Sequence, residues 1–270
     1  MSSLALFLLG PPRVELDGAP IEIERRKAVA LIVYLAVTGY EHGRDTLATL
    51  LWPDYDQIRA RGALRRTLSA LNRALGGAWL AVDRETIALK HTPALWIDVE
   101  QFRQQLAVCQ EHDHAPTNLC ADCLSSLARA VTLYHDDFLA GFTLRDSPSF
   151  DEWQFFQAEN LRRELAEVLE RLVCYYNSQG EYEPAITHAR RWLELDALHE
   201  PIHQHLMQLY AKTDQRAAAL RQYQECVRLL EEELGVSPSE ETTTLYEHIR
   251  SGRFNKRTKI PPDKAVKEKK

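Results

Sequence analysis

Hydrophobic and polar positions change their pattern twice along the chain. Leu4 to Leu9 is a short, unbroken apolar run of the kind that forms a buried strand. Val14 and Leu16 then alternate with polar neighbours, Asp17-Gly18 supplies a turn, and Ile21 and Ile23 resume the alternation. The pattern predicts a hairpin, with Ala19-Pro20 lengthening its loop. Residues 26–38 are almost wholly apolar from Ala28 to Val37, which suits a buried helix. Gly39 and Gly43 bracket the next turn, and Asp45 is placed to cap a helix from Thr46 to Leu51 that Pro53 closes.

The segment 58–75 carries the most information. Leu64, Leu68, Leu71 and Leu75 fall within about 60° of a helical wheel. Arg59, Arg66 and Arg73 recur on the opposite side, Ser69 lies near them, and Arg61 and Arg65 flank the leucine stripe. No acid occurs between Asp56 and Asp83, so these guanidinium groups are expected to stand uncompensated. Gly76-Gly77 ends the helix. Leu80–Val82 and Thr86–Leu89 then predict a second hairpin, with Arg84 near its tip and Lys90 at its exit. Three helices followed by a hairpin make a winged helix-turn-helix. A helix of ordinary width fits the major groove of DNA, where Arg pairs with guanine or holds phosphate. The candidate DNA-binding residues are Arg59, Arg61, Arg65, Arg66, Ser69, Arg73, Arg84 and Lys90. The competing explanation is that the arginines only solvate the outer face of a core helix.

From residue 98 onward strand signals vanish. Asp98 to Cys109 reads as one amphipathic helix, and Leu119 or Cys120 to Tyr134 as another. A loop follows from Asp136 to Asp146, and Ser147-Pro148 opens a long helix, with Ser as its cap. A period of 34 then relates Leu172 to Leu206, Tyr176 to Tyr210, Ala185 to Ala219, Ile186 to Leu220 and Leu195 to Leu229. That is the tetratricopeptide spacing. Gly180 has Asp214 as its counterpart, so a different turn is expected there. Ser237-Pro238-Ser239-Glu240 reads as a capping box for a last helix running to about Gly252. The expected fold is mainly α. An α+β winged-helix domain (1–97) precedes an all-α, tetratricopeptide-like domain (98–252) and a flexible basic tail (253–270).

Composition narrows the function. With 45% hydrophobic and 27% charged residues the chain is expected to fold, and no run of 18 apolar residues suggests a membrane span. The first ten residues lack the basic region of a secretory signal. Five unevenly spaced cysteines argue against a disulfide framework and for a reducing cytoplasm. The net charge of -6 conceals three regions: 1–97 carries +2, 98–252 carries -14, and 253–270 carries +6. The acidic body suits a basic protein surface better than DNA.

Cys109-x-x-His112-x-His114 precedes Cys120-x-x-Cys123. Two ligand pairs spaced i, i+3 suit a tetrahedral zinc site where helix ends face each other. Cys109, His112, Cys120 and Cys123 are the favoured set, with His114 as the alternative to His112. Four protein ligands leave no open position, so such a zinc is structural. The alternatives are plain reduced cysteines or a redox pair. His199, His203 and His205 sit on one predicted helix with no implied partner and read as ordinary packing, and Cys174 and Cys226 read as core. Neither a nucleophile elbow nor a phosphate loop occurs, and no enzyme activity is expected.

Several stretches resemble the bacterial transcriptional activator domain proteins, including the Streptomyces antibiotic regulatory protein family. These are residues 26–36 (RKAVALIVYLA), Leu50-Leu51-Trp52-Pro53, residues 61–71 (RGALRRTLSAL), Phe138-Leu139-Ala140-Gly141-Phe142, residues 217–223 (AAALRQY) and residues 232–238 (EELGVSP). The resemblance covers about residues 4–252. It implies an OmpR-type winged helix that binds direct repeats in double-stranded DNA upstream of promoters, as two or more copies side by side, and a body that recruits RNA polymerase. It places Arg59, Arg65, Arg66, Ser69 and Arg73 at the DNA, with 58–75 as recognition helix and 80–90 as wing. The alternative is a helical-repeat adaptor that binds protein and not DNA. Large members continue into an ATPase, whose phosphate loop is absent here, so this is either a short member or the front of a longer protein.

Overall fold

The computed structural model describes residues 2–110, 112 and 118–254. Four strands, β1 (Leu4–Phe7), β2 (Arg13–Leu16), β3 (Ala19–Pro20) and β7 (Leu95–Ile97), form a sheet in the order β3-β2-β1-β7. β7 runs parallel to β1, and the other pairs are antiparallel. Asp17 and Gly18 both have positive φ, at 55° and 78°. That geometry makes a two-residue hairpin turn, and Leu16 pairs directly with Ala19. Ala19-Pro20 therefore belongs to the strand and does not lengthen the loop. Pro20 sits on the edge strand, where its missing N–H costs no ladder bond; Ile21 still donates its N–H to the Val14 carbonyl at 2.9 Å, and Ile23 lies beyond the strand.

Helices α1 (Arg26–Thr38), α2 (Arg44–Leu51) and α3 (Gln57–Ala74) follow, with β4 (His42–Gly43), β5 (Leu80–Val82) and β6 (Thr86–Leu89) in a small sheet ordered β4-β6-β5. α1 is buried on nearly every side, through Ala28, Ala30, Leu31, Ile32, Val33, Leu35 and Ala36. It ends at Gly39, whose N–H reaches the Leu35 carbonyl. Gly43, not Asp45, occupies the cap position of α2, because the helix starts earlier than expected. Asp56 caps α3, accepting from the Arg59 N–H at 2.9 Å.

Two further helices, α4 (Asp98–Gln110) and α5 (Ala121–Leu133), join these elements in one compact unit that extends to Val168. The Asp98 side chain ties its parts together. One carboxylate oxygen accepts the N–H groups of Leu8 and Leu9 at 2.6 and 2.8 Å, and the other accepts that of Val99 at 2.8 Å. Burial pushes this carboxyl above its ordinary range, and the three N–H donors oppose the shift. Leu139 reinforces the join, its N–H reaching the Leu8 carbonyl at 2.9 Å. The long helix α6 (Pro148–Gln179) begins where expected. The Ser147 hydroxyl, however, donates to the Leu51 carbonyl at 2.7 Å instead of capping it.

A second unit consists mainly of residues from Leu169 onward. It holds the end of α6 with α7 (Tyr182–Leu195), α8 (Glu200–Lys212), α9 (Arg216–Leu234) and α10 (Glu240–Arg250). The 34-residue period is visible in its packing: Ala185 and Ala219 are both fully buried, as are Leu172 and Leu206. The two turns are alike, contrary to the sequence expectation. Gly180 and Asp214 both adopt left-handed backbone, at φ 75° and 58°. The N–H groups of Glu181 and Gln215 reach the carbonyls of Tyr176 and Tyr210 at 2.9 and 2.8 Å. Aspartate is among the few residues that enter this region readily.

The cap of α10 is Ser239, two residues after Ser237. It accepts from the Thr242 N–H, and its own N–H and hydroxyl both donate to Glu200 at 2.7 Å. His199 stands at the cap of α8, outside the helix. His203 is a satisfied core histidine, bonded to the Ala197 carbonyl and to Gln222. Burial lowers the basicity of His205 and raises the Cys226 thiol to about 11, whereas Cys174 is only half-buried. Of the basic tail, residues 255–270 lie outside the described residues.

Asp98→Ala orphans the two buried N–H groups of Leu8 and Leu9, just past β1, and is expected to cost about 2–4 kcal/mol, read as a lower urea midpoint. Asp214→Gly is expected to leave thermal stability equal or raised by less than about 1 kcal/mol, whereas Asp214→Val lowers it by more than about 1 kcal/mol.

Candidate functional site: a basic helix face and a cysteine-histidine cluster

Helix α3 buries Leu64, Leu68 and Leu71 as its leucine spacing requires, and buries Ala60, Ala63 and Thr67 beside them. The wider buried face turns the free face toward Ser69. Ile58, Arg59, Arg65, Arg66, Ser69 and Arg73 are all exposed there or at its edge. Ile58 is 87% exposed and was not among the candidates. Its spacing to Gly62, Arg65 and Ser69 is the signal that places it on the same face.

The arginines differ in their partners. Arg61 is not uncompensated: its guanidinium forks onto the Asp45 carboxylate, with one contact at 2.5 Å. The neutralising acid comes from α2, which a scan of the helix's own neighbours cannot find. The hydrogen bonds from Arg61 hold the Asp45 carboxyl below its usual range. The Arg59 guanidinium carbon lies over the Tyr55 ring, 3.9 Å from its centroid. Among the described residues, Arg65, Arg66 and Arg73 enter no ion pair.

In the wing, the Asp83 carboxylate accepts the N–H groups of Glu85 and Thr86, both at 2.7 Å, which holds its carboxyl below the usual range. Arg44 donates twice to the Asp83 carbonyl, fixing the wing to the start of α2. Arg84 is thereby presented, exposed, at the tip. Lys90 is used differently from expectation, its ammonium donating to the Ala78 carbonyl at 3.0 Å across the wing's base.

A cleft of about 760 Å³ continues the basic surface away from α3. Arg25, Arg26, Lys27, Arg66 and Arg145 line it together with Trp52, Tyr55 and a single acid, Asp146. Arg25 and Arg145 were not among the candidates, because only the fold brings them beside Arg66. Two of these cations are structural. Arg26 donates to the Thr143 carbonyl at 2.8 Å and covers the Phe142 ring. Lys27, 15% exposed, donates to the Leu51 carbonyl at 2.5 Å, pairs with Asp146 at 2.7 Å and lies over Trp52.

The second constellation lies where α4 ends and α5 begins. Cys109 is buried in the last turn of α4, and Cys120 caps α5, accepting from the Cys123 N–H at 3.5 Å. His112 Nδ1 stands 3.2 Å from both the Cys120 and the Cys123 sulfur. These three ligand atoms all lie within 4.8 Å of one another. The Cys109 thiol donates to the Cys123 carbonyl at 3.7 Å. Burial pushes the Cys123 thiol up to about 12, and its neighbours Cys109 and Cys120 add to the shift. His114 lies outside the described residues.

Comparison with known proteins agrees with this architecture. The family model of the bacterial transcriptional activator domain matches residues 97–250. The transcriptional regulatory protein EmbR of Mycobacterium tuberculosis is 25% identical over 259 residues, spanning 90% of this chain and 62% of that protein. The regulatory protein AfsR of Streptomyces coelicolor is 24% identical, across 92% of this chain and 24% of its own length. The transcriptional regulatory protein MoaR1 of Mycobacterium tuberculosis is 25% identical, across 90% of this chain and 78% of its own. The chain thus spans less than two thirds of the EmbR and AfsR sequences. A structure of Mycobacterium tuberculosis EmbR in complex with a low-affinity phosphopeptide has the same fold, with a TM-score of 0.70 over 93% of this chain and 66% of that one, at 22% identity.

Lys27→Ala removes a buried hydrogen bond and an ion pair together, and is expected to lower the unfolding free energy by about 1–3 kcal/mol in urea titrations. A stability equal to the parent's would show that the ammonium is free to face a ligand.

Proposed function

This chain belongs to the bacterial transcriptional activator domain family, and on that premise we propose that it is a sequence-specific, DNA-binding transcriptional activator. The observation that carries the proposal is the exposed face of α3, where Arg65, Arg66 and Arg73 stand without ion-pair partners among the described residues. Exposed arginines contribute about 0–1 kcal/mol each to folding, so stability does not account for three of them on one face. Each one set against a phosphate releases counterions, and a handful together changes affinity by orders of magnitude.

The remaining geometry supports the same proposal. Ile58 and Ser69 are suited to a thymine methyl and a base edge, while the arginines hold guanine or phosphate. Arg84 at the wing tip meets the neighbouring backbone. Arg25, Arg66 and Arg145 extend the phosphate track along the cleft. Phosphate contacts set register, and base contacts confer specificity. Arg61 and Lys90, bound to Asp45 and to the Ala78 carbonyl, act chiefly by fixing α3 and the wing. The body carries the charge of a surface that meets a basic protein partner, and by family resemblance that partner is RNA polymerase. Paired copies on direct repeats follow from the same resemblance, as does action on the chromosome in the cytoplasm. Among the described residues no helix is long and apolar enough to cross a membrane.

The test is selection of fragmented genomic DNA by the purified chain at about physiological salt, with Arg66→Ala/Arg73→Ala as control. Repeats near promoters are expected to be enriched, and the enrichment is expected to vanish in the control. Each phosphate contact removed should lower the slope of log affinity against log salt by roughly 0.9, whereas Arg61→Ala should change it less. A double variant with unchanged affinity and slope would take α3 out of the interface and leave the helical-repeat adaptor as the better account.

A further inference from the structure

We propose that Cys109, His112, Cys120 and Cys123 bind one zinc ion that clamps the end of α4 to the start of α5. The argument begins with convergence. Four side chains rich in soft donors come from two helix ends, and three of their ligand atoms already lie mutually within 4.8 Å. A tetrahedral zinc has ligands at about 2.3 Å for sulfur and about 2.0–2.1 Å for nitrogen, which sets neighbouring ligand atoms about 3.5–3.8 Å apart. The 3.2 Å separations from His112 Nδ1 to the two sulfurs need to open by only a few tenths of an ångström to meet that geometry.

The helix start suits thiolates once the metal is bound, because the charge of the ion is what deprotonates the buried sulfurs. Cys120 is the cap of α5 and Cys123 lies in its first turn, so both sulfurs face the positive end of the helix. The Cys123 N–H points at the Cys120 sulfur, a hydrogen bond that stabilises negative charge on it. Cys109 is the fourth ligand. Its thiol now donates to the Cys123 carbonyl, and ligation requires the sulfur to leave that carbonyl for the metal. On binding, the three thiols release their protons to solvent and the neutral imidazole gives a lone pair through Nδ1, leaving a complex of net charge -1. Three sulfurs and one nitrogen match the preference of zinc over the hard cations. With no open position the ion is structural, and its place is the join between the first two helices of the activator domain.

Elemental analysis of the full chain, produced in zinc-supplemented medium and purified without chelator, is expected to find about one zinc per chain. Exchange for Co²⁺ tests the ligand set in the unmodified protein. Three thiolates and a histidine give intense tetrahedral bands in the visible and sulfur-to-cobalt charge transfer in the near ultraviolet. Cys109→Ser and Cys120→Ser should each weaken zinc affinity at least about tenfold in competition with a chromogenic chelator, with circular dichroism reporting whether the variants fold. Zinc below about a tenth of an equivalent, with only weak octahedral cobalt bands, would overturn the proposal even if neither variant folds. A Cys120–Cys123 disulfide in the metal-free chain from reducing cells would do the same in favour of a redox pair. Cys109→Ser with parental affinity would overturn the four-ligand assignment.

Discussion

One buried carboxylate holds the amino-terminal half of this molecule together. Asp98 takes the N–H groups at the exit of β1, and it begins the first helix of the activator domain. A charge removed from water costs several kcal/mol unless hydrogen bonds replace its hydration. Here three backbone donors do so, and the exchange works only if strand, helix and connecting segment sit in one arrangement. The parallel pairing of β7 with β1 depends on it, since β7 leads directly into Asp98. So does the loop around Phe138, which bridges to Leu9 and Gly10. The basic cleft beside α3 is a consequence, because residues of that loop region form one of its walls.

Charge is divided by task within the basic surface. Guanidinium groups that meet an acid or a carbonyl fasten the scaffold: Arg61 to Asp45, Arg26 to Thr143, Arg44 to Asp83. Arg65, Arg66 and Arg73, which have no ion-pair partner among the described residues, are exposed on α3. A side chain already engaged must break its contact before it can meet another partner, and one without an ion pair need not. Unequal effects of substitution along this helix follow from that difference, although all of its arginines carry the same charge.

The second unit applies a simpler constraint, the close approach of helices. Fully buried alanines at 185 and 219 permit it, and the left-handed turns at Gly180 and Asp214 return the chain at the right place. Ser239 and Glu200 then lock the final helix through three hydrogen bonds around one cap, two to the Glu200 carboxylate and one from the Thr242 N–H.

What was legible in the sequence is what depends on neighbours along the chain. Leucine spacing located α3, the 34-residue period located the paired helices, and Asp-Gly located the first hairpin, because helix, repeat and turn are all set by local periodicity and backbone preference. The Cys-x-x-Cys spacing likewise placed two sulfurs at the start of one helix, one at its cap and one in its first turn. Contacts between distant residues were decided only by tertiary structure. Asp45 neutralises Arg61 from another helix, Arg145 reaches the surface beside Arg66, Lys90 bends back to the Ala78 carbonyl, and Asp98 closes on Leu8 and Leu9. These partners are far apart in sequence or chosen among several equal candidates. No pattern of neighbours encodes the choice, because it is made by burial, which favours whichever arrangement leaves the fewest polar groups unpaired.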